Sequence, residues 1–151
     1  MAIDLQRPEA GWIPGPRGPI FVTYHAPVGV TPAGRRSHSV LLCEPLGPDR
    51  MNLHLAYRDL AMRLASAGFA AMRFDPTGTC DASGSPRDPD WPGGWYEEAE
   101  AARAYLISRS GASQLAVFGA RVGGTLALGL PEANALMLWG PYRDGKAFLR
   151  H

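Results

Sequence analysis

Between residues 114 and 130 the sequence QLAVFGARVGGTLALGL passes from an apolar run into closely spaced glycines with a single arginine among them. Gly119, Gly123 and Gly124 are the small residues a strand needs where it turns sharply into a helix, because the two backbones then approach closely. Arg121 stands in the middle of that turn. Its guanidinium is always protonated and has no lone pair, so it can hold an anion or a carboxylate but cannot attack a carbonyl. A dinucleotide site would read G-x-G-x-x-G. Here the pattern is G-x-x-x-G-G, with Arg121 at the second glycine position, so no cofactor is expected.

The other residues able to do chemistry are scattered. Cys80 lies in the stretch 76–94, PTGTCDASGSPRDPDWPGG, and thiolates are good nucleophiles, but no histidine is near it in sequence. Ser83 and Ser85, in the same stretch, read as turn formers. His54 is expected at the exposed start of a helix, His25 and His38 beside strands facing solvent, and Cys43 in the core. Two cysteines make neither a disulfide framework nor a zinc pattern, and no metal site is expected. At a helix N-terminus, Arg121 would suit a carboxylate or phosphate ligand. The favoured expectation is internal pairing with an acid such as Asp75 or Asp81.

The elements that would position these residues follow from hydrophobic period. Residues 1–18 are rich in proline and glycine and read as an extended edge segment, followed by a β-branched and aromatic strand over 19–27. The unbroken apolar run at 39–45 predicts a strand covered on both faces. Leu53, Tyr57, Leu60 and Leu64 then recur at helical spacing, with Asn52 as N-cap and Gly68 as the stop. A strand at 69–75, the long loop 76–94 and a helix over 95–108 come next. The helix would bury Trp95, Ala99, Ala102 and Leu106. A strand at 114–118, a short helix stopped by Pro131 and a strand at 135–139 complete the pattern. An extended pair followed by β-α-β-α-β-α-β implies an α/β fold: a mostly parallel sheet with helices on both faces. Ligands in such sheets sit at the carboxyl ends of the strands, here at loops 44–52, 75–94 and 119–123.

Composition narrows the class. With 151 residues and a net charge of +1, the chain suits one globular domain, and its charge gives no reason to expect nucleic-acid binding. No stretch approaches the roughly 18 apolar residues of a membrane span. The first ten residues show no secretory signal, and a cytoplasmic location is expected.

Four stretches, VLLCEPLGPDRMN, LAMRLASAGFAAMRFDPTGTCDASG, WYEEAEAARAYL and LAVFGARVGGTLAL, together resemble the α/β-hydrolase superfamily over about residues 38–150. The similarity is greatest to serine-aminopeptidase-like hydrolases, including those associated with exosortase systems. The resemblance implies an α/β-hydrolase-like N-terminal half, with 1–18 an extended segment and 19–151 a hydrolase-like domain truncated after the nucleophile elbow. It assigns Arg121 to the nucleophile position of G-x-S-x-G. It also assigns the backbone N–H of Val122 and one near Leu46 or Gly47 to the oxyanion hole. Some hydrolases of this group are similar even in carrying G-x-R-x-G.

The chain departs from the family pattern at every triad member. In this fold the acid and the histidine follow the nucleophile. After Arg121 the only acids are Glu132 and Asp144, and the only histidine is His151. Asp144 would correspond to an alternative acid position seen in some hydrolases. Three functions are therefore carried forward. The chain is a hydrolase of ester, thioester or amide ancestry that is inactive alone; or one half of a split hydrolase; or a non-enzymatic scaffold binding a small anion or acyl ligand through Arg121 and the elbow N–H groups. The apolar strand 135–139 would be an unfinished edge, which calls for a homodimer or a complementary chain.

Overall fold

The computed structural model describes residues 7–85, 87, 88 and 91–150. Residues 1–6 of the N-terminal segment, residues 86, 89 and 90 of the long loop, and His151 lie outside the described residues. Six strands form one sheet: β1 (Glu9–Ile13), β2 (Ile20–His25), β3 (His38–Cys43), β4 (Ala70–Asp75), β5 (Gln114–Ala120) and β6 (Ala135–Trp139). Their order is β1-β2-β4-β3-β5-β6. β1 and β2 run antiparallel to their neighbours, whereas β4, β3, β5 and β6 are mutually parallel. Helices α1 (Pro48–Ser66), α2 (Trp91–Ser110), α3 (Val122–Leu128) and α4 (Gly145–Leu149) connect or follow them.

The alternation of side chains along each strand sorts the core into two layers. Leu41, Cys43, Met72, Phe74, Leu115 and Val117 point to the face covered by Ala99, Ala102 and Leu106 of α2. Val40, Leu42, Ala71, Ala116 and Ala120 point to the face covered by Tyr57 and Ala61 of α1. β3 is buried along nearly its whole length, as its continuous apolar run required. Each buried Leu, Met or Phe contributes about 1.5–3 kcal/mol by leaving water, so the four parallel strands gain most where a helix covers both faces. β6 is different. All five of its residues are exposed, although its register with β5 is complete.

Several boundaries differ from the sequence expectation. α1 starts at Pro48 rather than after Asn52, with Gly47 as cap and proline in the first turn, where its missing N–H costs nothing. It ends as expected, with Gly68 at φ +92° just beyond the cap residue Ala67. α2 begins four residues earlier than the apolar period indicated, and α4 follows the last strand. His25 is not at the surface: it is 3% exposed. It lies on an inner strand, between β1 and β4, where a solvent-facing ring would need an uncovered face.

Candidate functional site

Three chain segments meet at the carboxyl ends of β3, β4 and β5. After β5 the backbone turns at Arg121, which adopts φ +57° and ψ −126°. L-residues with a side chain rarely occupy this left-handed region, and a long side chain held there marks an over-determined turn. Two glycines make the turn feasible. A Cβ on Gly119 would collide with the carbonyl of Gly123, and a Cβ on Gly123 would collide with the carbonyl of Cys43 at the end of β3. The Arg121 amide donates to Trp139 O at 2.9 Å, tying the turn to the end of β6.

The turn after β3 is anchored from α1. The Tyr57 hydroxyl donates to Cys43 O at 3.0 Å and accepts from the Ala120 amide at 2.8 Å, bridging the last residues of β3 and β5. Burial pushes this phenol's pKa well up, so it stays a neutral donor. Gly47 turns the chain into α1 at φ +60°, and its carbonyl accepts from the Arg50 and Met51 amides. Leu46 packs with Trp95 and Leu126, and Val122 packs against the same cluster. The two segments expected to supply backbone donors therefore stand side by side.

The Arg121 side chain does not reach Asp75 or Asp81. Its Nε donates to Asp49 Oδ2 at 3.2 Å and its Nη2 to the Tyr142 hydroxyl at 2.5 Å. That hydroxyl in turn donates to Asp49 Oδ2 at 3.1 Å, and the guanidinium carbon lies 4.3 Å from the Tyr142 ring centroid. Thr125 Oγ1 donates to Tyr142 O at 2.8 Å, fixing the chain after β6 against α3. The hydrogen bond that Arg121 donates to Asp49 raises the Arg121 pKa further above its ordinary value. Asp75 is unavailable because Arg50 holds it at 2.7 Å, while its other oxygen accepts from the Asp81 amide. The Asp81 carbonyl accepts from Trp12 Nε1 at 3.0 Å.

A second charge cluster lies beneath the same turn. Glu44, 4% exposed, accepts from Arg73 Nη1 at 3.2 Å and lies 3.6 Å from Arg50 Nη2. Burial raises the Glu44 carboxyl above its ordinary value despite both arginines. Glu98 is fully buried in α2 and accepts from the Thr77 amide at 2.7 Å, which holds the loop after β4.

Comparison with known proteins comes down to architecture. No family model matches the sequence, and no curated protein matches it either. Solved structures do. An α/β serine hydrolase without a lid from Xanthomonas campestris superposes with a TM-score of 0.65 at 19% identity, covering 85% of this chain and 57% of that one. An α/β serine hydrolase homologue from Coxiella burnetii gives 0.63 at 22% identity, covering 81% and 56%. A proline iminopeptidase-related protein from Thermus thermophilus gives 0.63 at 21% identity, covering 91% and 46%. The fold is part of the α/β-hydrolase fold. This chain spans about half the length of the structures it matches.

Arg121 stands on the sharp turn between β5 and α3, and Leu46 and Gly47 lie in the segment between β3 and α1. The remaining candidates are dispersed. Cys80, itself strained at φ +44°, lines a cavity of about 630 Å³ together with His54 and Arg50. The thiol is pushed up by partial burial, which outweighs the pull of Arg50. His54 is exposed, its Nδ1 bonds to Met51 O at 2.9 Å, and no hydrogen bond between it and Cys80 occurs among the described residues. Asp144 caps α4 by accepting from the Ala147 amide at 2.8 Å. Glu132 is exposed and lies 3.5 Å from Arg103. Ser83 donates to Pro19 O across 64 residues, tying the loop after β4 to the start of β2 rather than closing a local turn, and Cys43 is buried. Among the described residues no group of three or more His, Cys, Asp or Glu could hold a metal, and no helix is long and apolar enough to cross a membrane.

Sequence reasoning passed over Asp49, Tyr142, Tyr57, Glu44 and Arg50. A signal existed for two of them. Asp49 and Arg50 follow Pro48 directly, in what Pro at a first helical position marks as a first turn. Tyr142 carried none, because its contact with Asp49 spans 93 residues.

Proposed function

We propose that this chain is an α/β-hydrolase relative, of ester, thioester or amide hydrolase ancestry, whose elbow serves as a structural clamp and performs no acyl transfer. The observation that carries this reading is the placement of the Arg121 guanidinium. It leaves the strained elbow position and engages the Asp49 carboxylate and the Tyr142 hydroxyl. A group with no lone pair cannot form an acyl-enzyme, and this one is already committed to an internal anion. An external anion would have to displace Asp49, which weighs against the scaffold reading in which Arg121 holds a ligand.

The test is hydrolysis of p-nitrophenyl butyrate and a matching thioester by the purified chain. The expected result is no turnover above buffer for the wild type, Arg121→Ala and Cys80→Ala alike. Turnover by the wild type that disappears in Cys80→Ala would replace the clamp with a thiol mechanism.

A second reading concerns partners. Leu136, Met137, Leu138 and Trp139 are 36–64% exposed on the edge strand β6. A parallel edge with apolar side chains on both faces favours a further strand, from a complementary chain or a second copy, over an isolated monomer. Size-exclusion chromatography with light scattering tests it, and a monodisperse monomer at high concentration counts against it. A complementary chain that supplied an acid and a histidine would still face an arginine at the elbow.

A further inference from the structure

A second cavity, of about 720 Å³, is walled by α2, α3 and the chain after β6; Tyr142, whose ring lies against the Arg121 guanidinium, is part of its wall, and Arg121 itself does not line it. Its walls include Trp95, Leu126, Val122 and Phe148, the last from α4, which follows β6. Two of the polar groups in the wall are committed within the protein. Thr125 Oγ1 donates to Tyr142 O, and the Tyr142 hydroxyl donates to Asp49. What the wall offers a ligand is therefore apolar and aromatic surface. At the mouth the Asp144 carboxylate accepts from the Ala147 amide and lies 3.6 Å from Arg143. Lys146, also at the mouth, makes no ion pair or hydrogen bond among the described residues.

We propose that this cavity binds an amphipathic monocarboxylate, with a medium-length alkyl or arylalkyl body between Trp95, Leu126 and Phe148 and its carboxylate on Lys146. The size lies within the range of small-molecule sites, which are mostly apolar with one or two polar groups fixing orientation. A single uncommitted ammonium at the rim of an apolar hollow selects the sign of the head group by charge complementarity. Burial of the tail supplies most of the affinity, at about 0.8 kcal/mol per methylene removed from water. The inference rests on the cavity and is independent of whether the elbow turns over esters.

Isothermal titration calorimetry with octanoate, octylamine and 1-octanol, on the wild type, Lys146→Glu and Phe148→Ala, tests it. Circular dichroism establishes that each variant is folded. Octanoate should bind the wild type more tightly than octylamine. Lys146→Glu should weaken octanoate by about tenfold, equivalent to about 1.4 kcal/mol, and leave 1-octanol unchanged. Phe148→Ala should weaken all ligands that bind. The proposal is overturned if octanoate gives no binding heat with the wild type, or if Lys146→Glu binds octanoate as the wild type does. Preference for octylamine would assign the rim to Asp144 instead and equally overturn it. Because the readout is binding, none of these outcomes depends on hydrolytic activity.

Discussion

Asp49 and Arg50 are neighbours in the first turn of α1, yet they serve two charge clusters of opposite character. Arg50 turns inward to Asp75 and Glu44, where the Glu44 side chain is 1% exposed and Arg73 closes the group. Asp49 turns outward to Arg121 and Tyr142, where a third of both ionic side chains remains exposed. In the inner cluster desolvation dominates, and removing one partner strands a buried charge. In the outer cluster water screens what is lost. The inner cluster holds the ends of β3 and β4, and the outer one holds the turn between β5 and α3. On the proposed reading, the turn keeps its glycine geometry while the residue on it serves as a clamp.

The largest expected effect strikes the framework that both clusters share. Gly123→Ala places a methyl group on the backbone carbonyl of Cys43, with no flexible side chain to yield. The loss should fall in the exceptional class above about 4 kcal/mol, read as failure to give a cooperative urea transition. Glu44→Gln comes next. It removes the one carboxylate paired with Arg73 and leaves Arg50 with Asp75 alone, and should cost about 3–5 kcal/mol in the same assay.

How much of this was legible depends on the range of the contact. The turn at 119–124 was readable because glycine spacing reports a close backbone approach, and β3 because a run buried on both faces has no polar alternation. The alternation of strands and helices along the chain followed from the changes of hydrophobic period, whereas their order in the sheet, β1-β2-β4-β3-β5-β6, did not. Asp49 was not legible as the partner of Arg121, because a pairing across 72 residues leaves no local pattern. Asp75, at the end of a strand beside the elbow, was the better guess by chain position, and Arg50 had already taken it. His25 was misread for a related reason. Its neighbours on both sides, β1 and β4, are paired only in the folded sheet.

That misreading yields a pH prediction that separates the two clusters. Burial, with Arg73 and Arg58 nearby, lowers the His25 pKa to about 4 from 6.5. The folded state therefore resists a proton that the unfolded chain takes up, and stability present above pH 6.5 is lost as pH falls toward 4. Glu44, raised by burial, acts in the opposite sense, since its folded form accepts a proton first. His25→Gln should flatten or invert the slope of urea stability between pH 6.5 and 4. An unchanged slope would place the titration elsewhere. The smallest effect is expected in the outer cluster. Asp49→Asn should shift the urea midpoint far less than Glu44→Gln, and the shift should shrink further at high salt. A loss rivalling that of Glu44→Gln would erase the distinction between the clusters.

The central claim, that the elbow carries no nucleophile, is tested most directly by intact-mass spectrometry after incubation with an excess of a fluorophosphonate. The expected spectrum shows the unmodified mass, unchanged by time or reagent concentration. A stoichiometric phosphonyl adduct on the elbow peptide would contradict it.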